Sequence, residues 1–131
     1  MPDVPIQTPE DALALVRERD IRTIDLQFTD VAGLVKTVTI DADRLPAALS
    51  DGVWFDGSAV EGFARVAEAD MYLEPDIATL ALVPWETPRD DVGRTARVFC
   101  DVYTPNGQPF AGDPRGALRR ALAGAEAMGM R

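Results

Sequence analysis

The sequence predicts an α+β domain with an antiparallel or mixed sheet. One observation is a strand-like hairpin in the first third of the chain, where an alternating apolar run, a turn and a β-branched run follow one another. A second is a pair of later strand-like runs, over residues 79–83 and 96–103, with a polar loop between them. A third is a helix signal near each end of the chain. Strands that do not alternate with helices favour this class over a parallel βαβ layer.

The first half of the chain carries the signals of a helix and a hairpin. Thr8 is a hydroxyl cap directly before Pro9, so a short amphipathic helix is expected to begin there. Residues 24–29 alternate apolar and polar side chains, which predicts a strand with one buried face. Residues 30–33 predict a turn, and residues 34–40 predict the returning strand.

Capping signals define two further helices. Asp43 is expected to cap a brief helix that runs to Leu49 and ends by Gly52. Asp113 and Pro114 predict the start of a last helix that continues to the end of the chain. The apolar positions of this helix form one stripe: Leu118, Ala121, Leu122, Ala125 and Met128.

Length, composition and charge limit the possible functions. At 131 residues, 47% of them hydrophobic, the chain is expected to be one domain over residues 1–131. A formal net charge of -9 makes nucleic acid and anionic membranes poor partners. The sequence has no histidine, which removes histidine metal sites and Ser/His or Cys/His nucleophile pairs. Cys100, the single cysteine, lies in a strand-like run and is expected to be buried and inert.

The sequence also shows neither a secretory signal nor a membrane-spanning stretch. The N-terminus has no basic region followed by an apolar run, and no stretch approaches the length that crosses a bilayer. A cytoplasmic location is therefore the default expectation.

Residues 55–76 have the strongest chemical character in the chain. They begin Phe-Asp-Gly-Ser-Ala-Val-Glu-Gly-Phe-Ala-Arg and continue through Asp-Met-Tyr-Leu at residues 70–73 to Pro-Asp. On spacing alone, Asp56 is better interpreted as a turn-forming residue than as a catalytic acid. The acids at positions 68, 70, 74 and 76 lack the order of a calcium loop, so we expect a solvated or interface loop and assign no metal.

The stretch resembles the signature loop of bacterial type I glutamine synthetases, which usually reads Phe-Asp-Gly-Ser-Ser-Ile-Glu-Gly-Phe. The resemblance covers nearly the full chain. It includes residues 29–33 with Lys36, residues 82–85, residues 96–101 and residues 113–115. One departure is Ala59, which stands where a second serine is usual, so a hydroxyl contribution at that position is absent.

The resemblance implies a β-grasp N-terminal domain of an enzyme that makes glutamine from glutamate, ammonia and ATP through γ-glutamyl phosphate. It also implies a homo-oligomeric ring in which this domain lends its loop to the catalytic domain of an adjacent subunit. ATP and Mg²⁺ or Mn²⁺ are implied for the full-length parent, and no cofactor is expected in this chain. The catalytic domain is expected to lie outside residues 1–131, so the chain alone is expected to be inactive.

The same resemblance assigns the candidate site residues. Asp56 matches the family aspartate beside the ammonium site, where a carboxylate attracts ammonium and can take its proton. Gly57 and Ser58 are expected to shape the loop. Phe63 is expected to anchor it, and Arg65 to pair on the surface or reach an anionic ligand across a subunit boundary.

Two alternatives stay open at this point. Relatives in the same ligase family join glutamate to polyamines and keep a similar loop, although Asp-Met-Tyr-Leu at residues 70–73 favours the glutamine-forming branch. The other alternative is a β-grasp module that binds another protein through its exposed loop and has no enzymatic role.

Overall fold

A computed structural model describes residues 5–60, 70–86 and 93–131. The helices in these ranges are α1 (Pro9–Glu18), α2 (Leu45–Asp51) and α3 (Pro114–Ala127). The strands are β1 (Ile21–Thr29), β2 (Val35–Asp41), β3 (Val53–Asp56), β4 (Asp70–Pro75), β5 (Ala81–Leu82) and β6 (Arg94–Tyr103). Short 3-10 turns occur at Ala42–Arg44, Gly57–Ala59 and Ile77–Thr79.

The described strands form one mixed sheet in the order β2-β1-β6-β4-β3, with β5 also paired to β6. The β1–β6 pair is parallel, and the other pairs are antiparallel. β6 is central because its first part lies between β1 and β5, and its second part pairs with β4. The α+β class with a mixed sheet is therefore confirmed.

The alternation in β1 builds the core as the sequence predicted. Ile24 and Leu26 are fully buried and Phe28 is 5% exposed, whereas the side chains between them are only partly buried. Burying each of these side chains contributes about 1.5–3 kcal/mol to folding. The two N-terminal helices pack on the same core, to which they contribute Ala12, Leu45 and Ala48.

The start of α1 is confirmed as a capping box. The hydroxyl of Thr8 accepts from the backbone N–H of Asp11 at 3.2 Å, and the Asp11 carboxylate accepts from the Thr8 N–H at 2.9 Å. These bonds satisfy N–H groups that a helix start leaves without partners. The N–H groups of Gln7 and Thr8 lower the pKa of Asp11 from its ordinary value.

The hairpin turn is confirmed and is built on a buried aspartate. Oδ1 of Asp30 accepts from the backbone N–H groups of Ala32 and Leu34 at 3.0 and 2.9 Å. Gly33 has φ +84°, a conformation that favours glycine. Nζ of Lys36 lies 3.8 Å from Asp30 Oδ2, so this side chain faces the turn.

The predicted cap at Asp43 is wrong. Residues Ala42–Arg44 tighten into a 3-10 turn, so α2 begins only at Leu45 and Asp43 lies within the preceding turn. Neither the turn nor α2 has a side-chain cap at its N-terminus. The C-terminal end of α2 is as expected, because Gly52 follows the last helical residue and has φ +72°.

Two strand predictions also need correction. The strand expected over residues 79–83 is reduced to Ala81–Leu82, because Ile77–Thr79 forms a 3-10 turn whose N–H at Ala78 bonds to the Asp76 carboxylate at 3.3 Å. The solvated loop expected around residues 68–76 is wrong for residues 70–75. These residues form β4, which pairs with β3 and β6.

The last helix begins as predicted, but its apolar stripe is not buried. α3 ends at Ala127, and Leu118, Leu122 and Met128 are 55–73% exposed. The helix meets the sheet through its arginines instead: Nη2 of Arg115 lies 2.7 Å from Asp76 Oδ2, and Nη2 of Arg119 lies 3.2 Å from Asp101 Oδ2. These ion pairs turn the charged side of α3 toward the sheet.

Cys100 is fully buried, as expected, and burial raises the pKa of its thiol to about 12. Among the helices in the described ranges, none is long and apolar enough to span a membrane.

Candidate functional site

The candidate site lies at the end of β3. β3 and β4 are antiparallel, and their register places Asp56 directly opposite Asp70. Phe55 packs against Phe28 with ring centroids 4.9 Å apart, on the core side of the sheet. Because successive side chains in a strand point to opposite faces, Asp56 lies on the outer face, and it is exposed.

A short turn fixes the carboxylate of Asp56. Its Oδ1 accepts from the backbone N–H of Ser58 at 2.9 Å and from the Ser58 hydroxyl at 2.5 Å. Gly57, the first residue of this turn, is buried, and Val60 after the turn is 8% exposed, so both ends of the turn are held to the fold. The orientation of Asp56 is therefore set by its own loop.

The environment favours the ionised form of Asp56. The hydroxyl and then the backbone N–H of Ser58 lower the pKa of this carboxyl below its ordinary value. Both bonds engage Oδ1, and within the described part of the chain Oδ2 has no hydrogen-bond partner. An ionised, exposed carboxylate is suited to attract and orient a cation.

The structure brings together three of the five predicted site residues. Asp56, Gly57 and Ser58 form one turn, whereas Phe63 and Arg65 lie outside the described residues. Asp70 was not among the predicted site residues, although it was recognised as an acid. The signal that could have found it is strand pairing, because its position opposite Asp56 follows from the β3–β4 register.

The carboxylates do not form a metal site in the described ranges. No group of three or more Asp, Glu or Cys side chains there is arranged to hold an ion. Asp76 and Asp101 lie close together, but Arg115 and Arg119 contact both. The divalent cation that the resemblance implies belongs to the catalytic domain of the parent, and no chemical step of these residues is derived through it.

Comparison with known proteins identifies the family. A family model described as "Glutamine synthetase, beta-Grasp domain" matches residues 20–105, which include β3, β4 and the turn at Asp56. The chain belongs to this glutamine synthetase family. The predicted membership and the β-grasp fold are both confirmed.

Individual relatives agree with the family match. Over 122 residues the chain is 47% identical to the glutamine synthetases of Thermotoga maritima and of Methanosarcina mazei, covering 93% of this chain and 27% of each relative. A cryo-EM structure of Plasmodium falciparum glutamine synthetase superposes with a TM-score of 0.81 at 17% identity, over 98% of this chain and 24% of that one. That similarity concerns the fold. The chain spans about a quarter of the length of these proteins.

Proposed function

We propose that this chain is the β-grasp part of a glutamate–ammonia ligase. The full-length parent forms glutamine from glutamate, ammonia and ATP through γ-glutamyl phosphate. Family membership and 47% identity to proteins named glutamine synthetase support this proposal over a polyamine ligase or a non-enzymatic module. The single observation that carries the role of the domain is the fixed, ionised and exposed carboxylate of Asp56.

The role of Asp56 is to bind ammonium at the active site of a neighbouring subunit. In the amide-forming step, the nitrogen lone pair of ammonia attacks the γ-carbonyl carbon and phosphate leaves. Ammonium has no lone pair, so it must transfer one proton to the ionised Asp56 carboxylate before the attack. Asp56 raises the local concentration of ammonium and orients it by charge and hydrogen bonding, and the same carboxylate takes its proton.

The neighbouring residues have supporting roles. Ser58 holds the Asp56 carboxylate in one orientation through two hydrogen bonds, and Gly57 is the buried first residue of the turn. Asp70 lies opposite Asp56 and adds negative charge to the same end of the sheet. Phe63 and Arg65 are assigned to the same substrate loop on the family pattern, as its anchor and as an ion-pairing residue.

The remaining parts of the proposal concern the parent. It is a cytoplasmic homo-oligomeric ring, in which the β-grasp domain contacts the catalytic domains of its own and the adjacent subunit. ATP and Mg²⁺ or Mn²⁺ bind to the catalytic domain. The 131-residue chain alone is inactive.

Steady-state assays test this proposal. The full-length gene product is expected to release phosphate from ATP when both glutamate and ammonium are present, and the 131-residue chain is expected to give background only. Putrescine in place of ammonium is the control for the amine. Glutamate-dependent turnover by the 131-residue chain, or a full-length enzyme that uses putrescine and not ammonium, would contradict the proposal.

A further inference from the structure

α3 has an apolar side that the described residues leave largely uncovered. Five apolar residues recur on this side at spacings of three and four positions, and we call them the apolar stripe: Leu118, Ala121, Leu122, Ala125 and Met128. Leu118 is 59% exposed, Leu122 is 55% exposed and Met128 is 73% exposed. None of the 14 residues of α3 is buried. The large side chains of the stripe therefore lie mostly in water.

An amphipathic helix is stable when its apolar side is packed. At 14 residues α3 is about 21 Å long, and a helix of this length is marginal in water by itself. α1 and α2 are packed, because they bury Ala12, Leu45 and Ala48 in the core. α3 carries a longer stripe without an equivalent contact among the described residues. We therefore expect the stripe to have a packing partner in the complete molecule.

The arginine side of α3 is the side that this chain uses. Arg115 and Arg119 each contact the carboxylates of Asp76 and Asp101. Asp101 lies on the outer face of β6, because strand residues alternate between faces and its neighbour Val102 is buried in the core. The ion pairs thus attach α3 to the outer face of the sheet.

The arginine side and the apolar stripe are adjacent on the helix surface. Leu118 follows Arg115 by three residues, and Leu122 follows Arg119 by three residues. Residues three apart in a helix are neighbours, so each leucine lies beside an arginine. The helix can therefore bond to the sheet through its arginines and pack elsewhere through its leucines at the same time.

The limits of the family match indicate what covers the stripe. The β-grasp family model matches residues 20–105 and ends before α3. The similarity to the Thermotoga maritima and Methanosarcina mazei enzymes extends over 122 of the 131 residues, so it reaches into α3. α3 is therefore shared with these enzymes without being part of the β-grasp match. The chain spans only 27% of each enzyme, which leaves a large remainder that can cover the stripe.

A second copy of this chain is a poorer occupant. The stripe offers three large apolar side chains, those of Leu118, Leu122 and Met128. A stable interface between two proteins takes about 20–30 residues from each side. The stripe alone is too small for that, whereas it is sufficient for packing between parts of one chain, where the covalent link supplies the proximity.

We propose that the apolar stripe of α3 packs into the catalytic domain of its own subunit, so that α3 joins the two domains. This inference rests on the proposed function, which supplies the catalytic domain. The arginine side of α3 holds the β-grasp sheet, and the stripe holds the catalytic domain. The β-grasp domain thus has one surface for its own subunit, at α3, and another for the adjacent subunit, at the turn of Asp56.

Hydrogen exchange tests the proposal without depending on activity. The backbone amides of α3 are compared between the 131-residue chain and the full-length protein. We expect exchange at residues 118–127 to be at least about tenfold slower in the full-length protein, because packing of the stripe suppresses local opening. Equal exchange rates in the two proteins would overturn the proposal.

A pair of alanine variants locates the contact on the stripe. Leu122→Ala is expected to lower the thermal midpoint of the full-length protein by about 5 °C, because it leaves a cavity at a packed site. The same change should leave the 131-residue chain near its parental midpoint, since Leu122 is exposed there. Arg120→Ala, at an exposed position of the same helix, is the control and should be near neutral in both proteins. Equal midpoint shifts for Leu122→Ala in the two proteins would overturn the proposal.

Two further measurements separate the alternatives. Sedimentation of the 131-residue chain is expected to show a monomer, and a dimer that Leu122→Ala dissociates would assign the stripe to a second copy and overturn the proposal. An active full-length enzyme in which α3 exchanges as fast as in the 131-residue chain would overturn this inference alone. A full-length protein with a protected α3 and no glutamine formation would support the inference and contradict the proposed function.

Discussion

Asp56 and Asp113 have the same local geometry and opposite environments. Each follows a strand or loop and accepts a hydrogen bond from the backbone N–H two residues later, at Ser58 and Arg115. Asp113 is 3% exposed and also accepts from the N–H of Val102 at 3.0 Å, and burial raises its pKa. Asp56 is exposed and its pKa is lowered. Location in the fold therefore decides whether such an aspartate serves stability or remains available to a ligand.

The surroundings of Asp113 and Asp56 also differ. Around Asp113, Arg115 and Arg119 tie α3 to Asp76 and Asp101, so polar groups on three elements bond to one another. Around Asp56, the bonding is confined to its own turn. A substitution at Asp113 should affect the fold, whereas one at Asp56 should affect binding.

The largest effect on stability is expected from Asp113→Ala. This change removes the cap of α3 and leaves the buried N–H of Val102 without its acceptor, which together cost about 2–4 kcal/mol. The measurement is the free energy of unfolding in urea. Asp56→Ala is the matched control and should lower the urea midpoint much less. A greater loss of stability from the Asp56 substitution than from the Asp113 substitution would contradict the claim that Asp113 is the residue that stabilises the fold.

A smaller effect is expected from Arg115→Ala. The Arg115 guanidinium contacts Asp76 and Asp101 and is itself mostly buried, so its removal leaves two partly buried carboxylates with Arg119 alone. We expect a loss of about 1–2 kcal/mol in the free energy of unfolding. Arg120→Ala, at an exposed position on the same helix, is the control and should be near neutral. Equal losses would show that the ion pairs do not anchor α3.

The smallest expected effect is a difference in how the stability contributed by Asp113 and by Asp56 changes with pH. The pKa of Asp113 is raised in the folded state, so the folded state binds the proton of this carboxyl more tightly than the unfolded chain does. The stability that Asp113 contributes is therefore present below its ordinary pKa of 3.8 and is lost as pH rises through the raised pKa. Asp56 has a lowered folded pKa, so its contribution is present above 3.8 and is lost as pH falls through the folded pKa.

Urea titrations from about pH 3 to pH 6 on Asp113→Asn and Asp56→Asn measure both contributions as differences from the parent chain. The two differences should change with pH in opposite directions. Changes of the same sign would mean that burial does not distinguish the two carboxyl groups.

The sequence predicted the features of the fold that depend on hydrogen bonds between residues close together in the chain. The Thr8 cap, the turn at Asp30 and the Asp113 cap were readable because each is a side chain that bonds to backbone within a few residues. The resemblance predicted the β-grasp fold. The prediction at Asp43 was wrong because a 3-10 turn moves the helix N-cap by one residue, to Arg44, a shift that the Asp43 side chain does not control.

Features that depend on pairing between distant segments were missed. β3 and β4 are short, and β4 is rich in acids; it is a strand because it pairs with β6, about thirty residues later in the chain. For the same reason the sequence could identify Asp56 but not its neighbour Asp70. The outward stripe of α3 was also missed, because the arginines that orient the helix find their partners in β6 and in the turn before β5.

The most direct test of the central claim is the kcat/KM for ammonium of full-length Asp56→Asn at saturating glutamate and ATP. Asparagine keeps the size of the side chain and removes its charge. The account predicts a decrease of about 100-fold, with only a small change in the urea midpoint and with Asp43→Asn at the parental value. A parental kcat/KM for ammonium in Asp56→Asn, or a decrease matched by Asp43→Asn, would contradict it.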